Sequence, residues 1–492
     1  MLHLMGRRPP RPQIPTDTIV MVGDLDDNIV YRNEGIVTCM FVVDNVLDSE
    51  KLRSAFERVI ERPGWRKLGA RLRFNTHGCL EYHIPALFGP DRPAMRYSVV
   101  DHAVKRSEHS VASRLPEMSK DPAVVADPVH FKSLWQDAAG PAKLNDYLYA
   151  DEPLLALRIA KFTDATTMAI SWPHVLFDIM GLVDFVNAWT LMLRQQPDDI
   201  QAPHETTSDP LAELGRHPSE PHLLRHHRMS LPSVLFHGLR SWFWSLISKP
   251  QHRILYIPGW YMKSLREEAL EDLATNNEDD DRNMFVSEGD MLCAWWAHLS
   301  TSLMRNCPGK TVALANAMSL RTVLAKDLLP RGRPFLSNST GLVFALTSVK
   351  DIVTKPLGHL ASQVRRSIIN LGTREQVEAF VALTRQSWQR LPPLFGNHRM
   401  HLITFSNWSK AKLFEVDFSS AIVGPVSDKG QPTEQCGRPS YVQSHFSGIN
   451  TYEYVVMLGK SADGGYWMDC CTNKFRWPKI VDMLSEVRQE VA

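Results

Sequence analysis

The chain has 492 residues, of which 44% are hydrophobic and 22% charged, and a formal net charge of +1. That length favours two domains or two large lobes, and the composition is that of a soluble globular protein. The near-neutral charge gives no electrostatic footprint for nucleic acid or an anionic membrane, and no run reaches the roughly 18 apolar residues of a spanning helix.

The segment Met1–Thr16 is basic and Pro-rich without an apolar core, so it does not read as a secretory signal. Ile19–Val22 reads as a strand, Gly35–Val43 as a second. Asp48 caps an expected helix over Glu50–Glu61, with Leu52, Phe56, Val59 and Ile60 on one face. Gly69–Phe74 and Leu80–Ile84 alternate like a hairpin that turns at Asn75–Gly78. Val99–Asp146 is polar and mixed, with helical pieces. Leu154–Phe162 and Thr166–Trp172 are expected to pair as strands.

Pro173 ends that last run, because it has no N–H for a sheet ladder, and His174 follows at the strand mouth. From Asp178 the apolar period becomes helical up to about Arg194. A His at the exit of a strand is well placed to act as a general base. The spacing alone does not establish this. With 19 His in the chain, roughly one His-x-x-x-Asp is expected by chance, and Asp178 could simply cap the helix.

Gln195–Glu220 is rich in Pro, Asp, His and Ser and reads as a crossover linker. His204, His217, His222, His226 and His227 are too scattered for a ligand set and read as solvated loop residues. Leu231–Ile247 carries Trp242, Phe243 and Trp244, which could suit a membrane surface, but a linker helix packed on the body is the expectation. The short acidic run Glu278–Asp281 and Arg282 reads as a solvated loop.

The second half repeats a strand-and-helix pattern. Strands are expected at Arg253–Ile257, Thr311–Met318, Leu342–Val349 and His401–Phe405, with a closing hairpin over Tyr452–Leu458 and Gly465–Cys471. Helices are expected over Pro258–Leu273, from a capping box at Ser287 through Leu303, and over Leu357–Ile369. The seven cysteines, at 39, 79, 293, 307, 436, 470 and 471, show no C-x-x-C pair or His/Cys metal spacing. No metal is expected, and an odd count fits a reducing, cytoplasmic compartment. Cys470 and Cys471 read as strand residues rather than a redox pair.

Several stretches, in order, resemble the BAHD superfamily of acyl-CoA-dependent acyltransferases, in its fungal secondary-metabolism branch, which includes trichothecene acetyltransferases. His174 and Asp178 match its HxxxD. Trp65–Arg73 resembles its N-terminal aGRL strand, Ser287 opens a segment similar to S-x-x-D-x-L-x-A, and Arg321 lies where the family has a strand-end Arg. Ser406-Asn407-Trp408 through Asp417-Phe418 resembles the approach to the family's DFGWG. Here that motif reads Asp417-Phe418-Ser419-Ser420-Ala421, so both glycines and the Trp are absent. The doubled His of condensation domains is absent too, since Pro173 precedes His174. A Gly-x-Ser-x-Gly elbow is also missing.

The resemblance implies an α/β fold of two similar chloramphenicol-acetyltransferase-like lobes with mixed sheets and an active site in a tunnel at their interface. Residues 1–195 would form the lobe carrying HxxxD, 196–250 a crossover linker and 251–492 the second lobe. His174 would be the base and Asp178 would orient its loop through Arg321. Asp417 and Phe418 would be structural. Ser406 and Trp408 would lie by the acyl group or oxyanion, and Ser287 near the CoA arm. The implied activity is acyl transfer from acyl-CoA, a co-substrate rather than a bound cofactor, to a hydroxyl or amine of a specialised metabolite. The expected protein is a cytoplasmic monomer without nucleic-acid partners. Two alternatives remain at this stage: the same base used in a CoA-independent cyclisation or condensation, and a non-catalytic small-molecule-binding protein.

Overall fold

The computed structural model describes residues 13–204, 208–275, 284–329, 331–424, 436–448 and 453–491. Most of Met1–Thr16 and the acidic run 278–282 lie outside them. The N-terminal half gives β1 (Thr18–Met21), α1 (Ile29–Glu34), β2 (Ile36–Val43), α2 (Ser49–Glu61), β3 (Arg71–Phe74), β4 (Leu80–Ile84), β5 (Arg96–Asp101), β6 (Ala123–Ala126), α3 (Leu144–Leu148), β7 (Ala156–Lys161), β8 (Thr166–Pro173) and α4 (Ile179–Leu193). Then come α5 (Leu231–Ser248), β9 (Pro250–Ile257), α6 (Gly259–Thr275), α7 (Glu288–Thr301), β10 (Thr311–Ser319), β11 (Thr340–Ser348), α8 (Val349–Thr354), α9 (Leu357–Leu371) and α10 (Arg374–Arg385). The chain closes with β12 (His401–Asn407), β13 (Pro439–Phe446), β14 (Glu453–Lys460), β15 (Tyr466–Asn473) and α11 (Trp477–Val491).

Every residue of β2 is buried, which its unbroken apolar and β-branched run dictates: a strand with no polar alternation must be covered on both faces. It pairs antiparallel with β8 in a five-stranded sheet ordered β13-β2-β8-β7-β5, against which α2 and α4 pack. Asp48 caps α2 as expected, its Oδ1 accepting the N–H of Glu50 and Lys51 at 3.0 Å each. A seven-stranded sheet, ordered β11-β10-β12-β14-β15-β9-β6, carries α6, α7 and α9 over its own core. Both sheets are mixed: β5–β7, β10–β12 and β12–β14 are parallel, the rest antiparallel. A small sheet, β1-β4-β3, holds the expected β3–β4 hairpin.

Each half of the chain lends one strand to the sheet of the other half. β6, from the N-terminal half, is an edge strand of the seven-stranded sheet, and β13, from the C-terminal half, is an edge strand of the five-stranded one. We keep lobes 1–195 and 251–492, joined by 196–250, as a proposal about the course of the chain; the sheets themselves draw on both halves. Several elements differ from expectation. β6 is four residues long, too short to show a period, and lies in the stretch read as polar and mixed. β13 buries the polar Gln443 and Ser444 beside Tyr441 and Val442, so no alternation marks it. The hairpin β14–β15 forms but does not close the chain, since α11 follows. Cys470 and Cys471 do lie in β15, and all seven cysteines are free thiols. His222, read as solvated, is instead buried and stacked on Phe395 at 4.6 Å.

Candidate active site

His174 follows the last residue of β8, the central strand of its sheet, and is held by its backbone. Its N–H donates to Gly35 O (2.9 Å) and its carbonyl accepts from Asn338 Nδ2 (2.9 Å). The next carbonyls are also taken: Val175 O by Tyr82 Oη (2.8 Å) and Phe177 O by the indole of Trp172 (2.9 Å). Three sequence-distant groups and the neighbouring Trp172 thus fix one short turn. Gly181 is required beside it, because a Cβ there would meet Phe177 Cβ at 2.6 Å.

Asp178 does both of the jobs that the sequence allowed. Oδ1 caps α4, accepting from Met180 N and Gly181 N at 3.1 Å each. Oδ2 accepts from Arg321 (2.8 Å), Ser339 N (2.9 Å) and Thr340 Oγ1 (3.0 Å). Burial alone would raise its pKa, but Arg321 and the N–H donors outweigh that and hold the carboxyl below its usual range. The other arm of Arg321 donates to the carbonyls of Phe335 (3.1 Å) and Ser337 (2.9 Å). Both carboxylate oxygens are thus taken by groups other than the imidazole, and they tie α4 to the 335–340 segment.

A second buried pair backs the first. Asp26 Oδ1 accepts from both nitrogens of Asn338 at 2.8 Å, and Lys67 Nζ donates to Leu336 O (2.6 Å) and Ser337 Oγ (2.8 Å). Burial pushes the Asp26 carboxyl up and the Lys67 ammonium down. None of Asp26, Lys67, Tyr82 or Asn338 was singled out from sequence, because each acts through partners far away in the chain.

The imidazole itself presents one nitrogen. Nδ1 is enclosed and has no hydrogen-bond partner among the described residues, whereas Nε2 lies 3.2 Å from Glu34 Oε2. The ring stacks on Tyr31 (4.5 Å between centroids, 21° between planes) and faces Phe446 at 6.1 Å. Glu34 was likewise missed; it ends α1, 140 positions before the His, and no spacing rule links them. Its crowded surroundings push the carboxyl up and the imidazole pulls it back, while 39% of the side chain stays exposed, so solvent moderates both.

Trp408 reaches this group through one ring. It is buried, donates from Nε1 to Ser406 Oγ (3.0 Å), and sits 6.2 Å from Phe446, edge to face. Phe446 ends β13 in one sheet and Ser406 lies in β12 of the other, so the two sheets meet beside His174. A cavity of about 50 Å³ lies against the five-stranded sheet alone, lined by Thr38, Ser171, His445 and Ser447 among others. Ser287 is the N-cap of α7, its Oγ accepting from Asp290 N (3.3 Å) and donating to Asp290 Oδ2 (2.8 Å). That helix start lies against Asn407, whose amide would be 2.5 Å from a Cβ at Gly289. Asp417 and Phe418 lie elsewhere: Asp417 Oδ2 accepts from Arg194 at 3.0 Å, and Phe418 packs between Phe41 and Trp189. Among the described residues, no group of three or more His, Cys, Asp or Glu is disposed to hold a metal.

The family model described as the Transferase family matches residues 141–431, a span that contains His174, Asp178, Ser287, Arg321, Ser406, Trp408, Asp417 and Phe418. The protein named transcriptional regulator calD of Penicillium decumbens is 37% identical, with 96% of this chain and 97% of that protein covered. The acetyltransferase sphE of Aspergillus fumigatus is 33% identical, with 96% of each chain covered. The acetyltransferase adrJ of Penicillium rubens is 32% identical over 98% of each. Among solved structures, TRI101 of F. sporotrichioides, complexed with Coenzyme A and T-2, superposes with a TM-score of 0.66 at 15% identity, covering 94% of this chain and 96% of that one. The mixed α/β architecture expected from sequence is therefore a shared fold.

Proposed function

The chain belongs to the Transferase family, the BAHD acyl-CoA-dependent acyltransferases in their fungal secondary-metabolism branch, and on that premise we propose that it moves an acyl group from acyl-CoA to a hydroxyl of a specialised metabolite. The observation that carries this reading is the presentation of His174: one enclosed nitrogen, the other facing the partly exposed Glu34 carboxylate, and a backbone fixed on both sides. Acetyltransferase relatives and the TRI101 complex support CoA as the donor's carrier.

In this mechanism the acceptor hydroxyl displaces Glu34 from Nε2. As its oxygen attacks the thioester carbon, the hydroxyl proton passes to Nε2. The C–O bond forms, the carbonyl π pair moves onto oxygen, and a tetrahedral oxyanion results. Its collapse breaks the C–S bond, and the imidazolium returns the proton to the leaving thiolate. No enzyme nucleophile is needed, so donor and acceptor are bound together. Asp178 orients the turn through Arg321 without relaying a proton. Ser406 and Trp408 lie by the acyl group or oxyanion, Ser287 and the α7 start line the CoA arm, and Asp417 and Phe418 are structural. The site is a tunnel between lobes of a monomeric cytoplasmic protein. An amine acceptor would follow the same steps.

Incubation with a panel of acyl-CoAs and hydroxylated acceptors tests the reading. It predicts free CoA thiol and an acylated product in equal amounts. One observation favours a second reading: the DFGWG segment is replaced by Asp417-Phe418-Ser419-Ser420-Ala421, which would alter the CoA side. That reading requires product, by cyclisation or condensation, with no acyl-CoA present. A bound small molecule with no turnover under any condition would instead indicate a non-catalytic binding protein.

A further inference from the structure

α5 packs against the body with its wrong side. Apart from Val234, the side chains it turns inward are polar: His237 is buried, with Nδ1 3.3 Å from His398 O, Arg240 donates to Met400 O at 3.1 Å, and Ser248 is buried. Beneath them is a cavity of about 290 Å³, shared by His237, Ser241 and Ser245 of the helix with Lys310, Glu453 and Arg476 of the body. That lining contains the Glu453–Arg476 ion pair, so the polar side of the helix is the only one that suits it. The apolar side is left outside. Leu239 is 63% exposed, Phe243 57%, Leu246 56% and Trp242 48%, while Trp244, though exposed, borders the cavity. Phe475 joins this surface, since Lys474 N donates to the helix's last carbonyl, Ser248 O, at 3.3 Å.

An exposed apolar patch of this extent marks a docking surface. Its charge selects the occupant. From residue 221 to residue 252 there is no Asp or Glu, and the charged side chains are Arg225, Arg228, Arg240 and Lys249. Arg225 and Arg228 precede the helix and are exposed; Lys249 ends it in a left-handed conformation, also exposed. Cations thus flank both ends of a helix whose outer face carries Trp and Phe. That is the arrangement of an in-plane interfacial helix, with aromatic rings at headgroup depth and cations beside lipid phosphates. No helix among the described residues is long and apolar enough to cross a membrane.

We infer that α5 is a monotopic docking element that seats the protein on an anionic lipid bilayer. The helix would lie in the plane of the headgroups, with Leu239, Trp242, Phe243 and Leu246 in the acyl boundary. The catalytic base lies on another sheet, so docking leaves chemistry intact and can be tested apart from it.

Co-sedimentation of the full chain with vesicles of phosphatidylcholine, and of phosphatidylcholine mixed with phosphatidylserine, decides the matter. The expected result is binding to the mixed vesicles that is about tenfold stronger than to phosphatidylcholine alone, and weakened by salt. The triple variant Trp242→Ser, Phe243→Ser, Leu246→Ser should lose binding while keeping the wild-type circular dichroism and melting temperature. Arg225→Glu with Arg228→Glu should weaken it by about tenfold. Three results would overturn the inference: no wild-type sedimentation with either vesicle, triple-variant binding equal to wild type, or a concentration-dependent dimer or duplex-DNA complex that the triple variant abolishes while vesicle binding is absent.

Discussion

The two ends of α4 carry the same chemistry in different surroundings. At its start Asp178 meets Arg321 at 2.8 Å; beyond its last turn Arg194 meets Asp417 at 3.0 Å. The two ends are about 24 Å apart along the helix axis. The distances are nearly equal, but the first pair is 7% and 18% exposed, the second 31% and 38%. The first carboxylate also accepts four further hydrogen bonds, the second one, from Ser419 N. Water screens the second pair and competes for its partners, so it should contribute little. Ion-pair distance therefore says little about worth, and the sequence agrees. At the buried end His174, Asp178 and Arg321 are all kept, although Ile179 stands where the family usually has Gly; at the exposed end the pattern is eroded to Ser419-Ser420-Ala421.

The sharpest way to break this comparison is to strand a charge at each end. Asp178→Asn and Arg321→Ala should each lower stability by about 3–5 kcal/mol, because each leaves one buried charge unpaired. Asn still caps a helix well, so the loss in Asp178→Asn reports on the pair. The double variant should lose less than the sum of the singles. Thermal melts and initial rates check this. Additive losses, with unchanged melting of Asp178→Asn, would mean that the carboxylate works in proton transfer and not in holding the turn.

A change in front of the imidazole separates orientation from chemistry. Glu34→Gln should alter turnover by about tenfold or less, since the acceptor takes over Nε2 during reaction, whereas a required catalytic acid or base would cost about 10²–10⁴. Steady-state rates at saturating donor decide. The smallest effect belongs to the far end of α4. Asp417→Asn should cost less than about 1 kcal/mol and leave the rate near wild type. A loss matching that of Asp178→Asn would remove the distinction between the two ends.

What the sequence revealed follows a physical line. The strands and helices that frame the site show strong periods, caps or unbroken apolar and β-branched runs: β2, β8, α2, α4, and the β14–β15 hairpin. His174, Asp178 and Arg321 were legible because the family motif and a strand exit coincide there. α10 was legible but unread: Val377, Phe380 and Val381 recur at helical spacing behind a Thr373 cap. β13 was not legible, since a buried edge strand borrowed by the other half's sheet carries neither alternation nor locality. Glu34, Asn338, Tyr82, Asp26 and Lys67 act by three-dimensional convergence on one turn, and no pattern along a single chain encodes it. The outward apolar face of α5 shows the converse. Its composition was plain, but which side faced the body depended on the polar cavity beneath it.

The central claim, that Nε2 of His174 is the base for acyl transfer from CoA, is tested most directly by thiol release from acyl-CoA in the His174→Ala variant, measured with an accepted hydroxyl substrate and paired with its melting curve. The account predicts an unchanged melting temperature and turnover lower by about 10²–10⁴. A normally folded variant that releases CoA and forms product at close to the wild-type rate would contradict it.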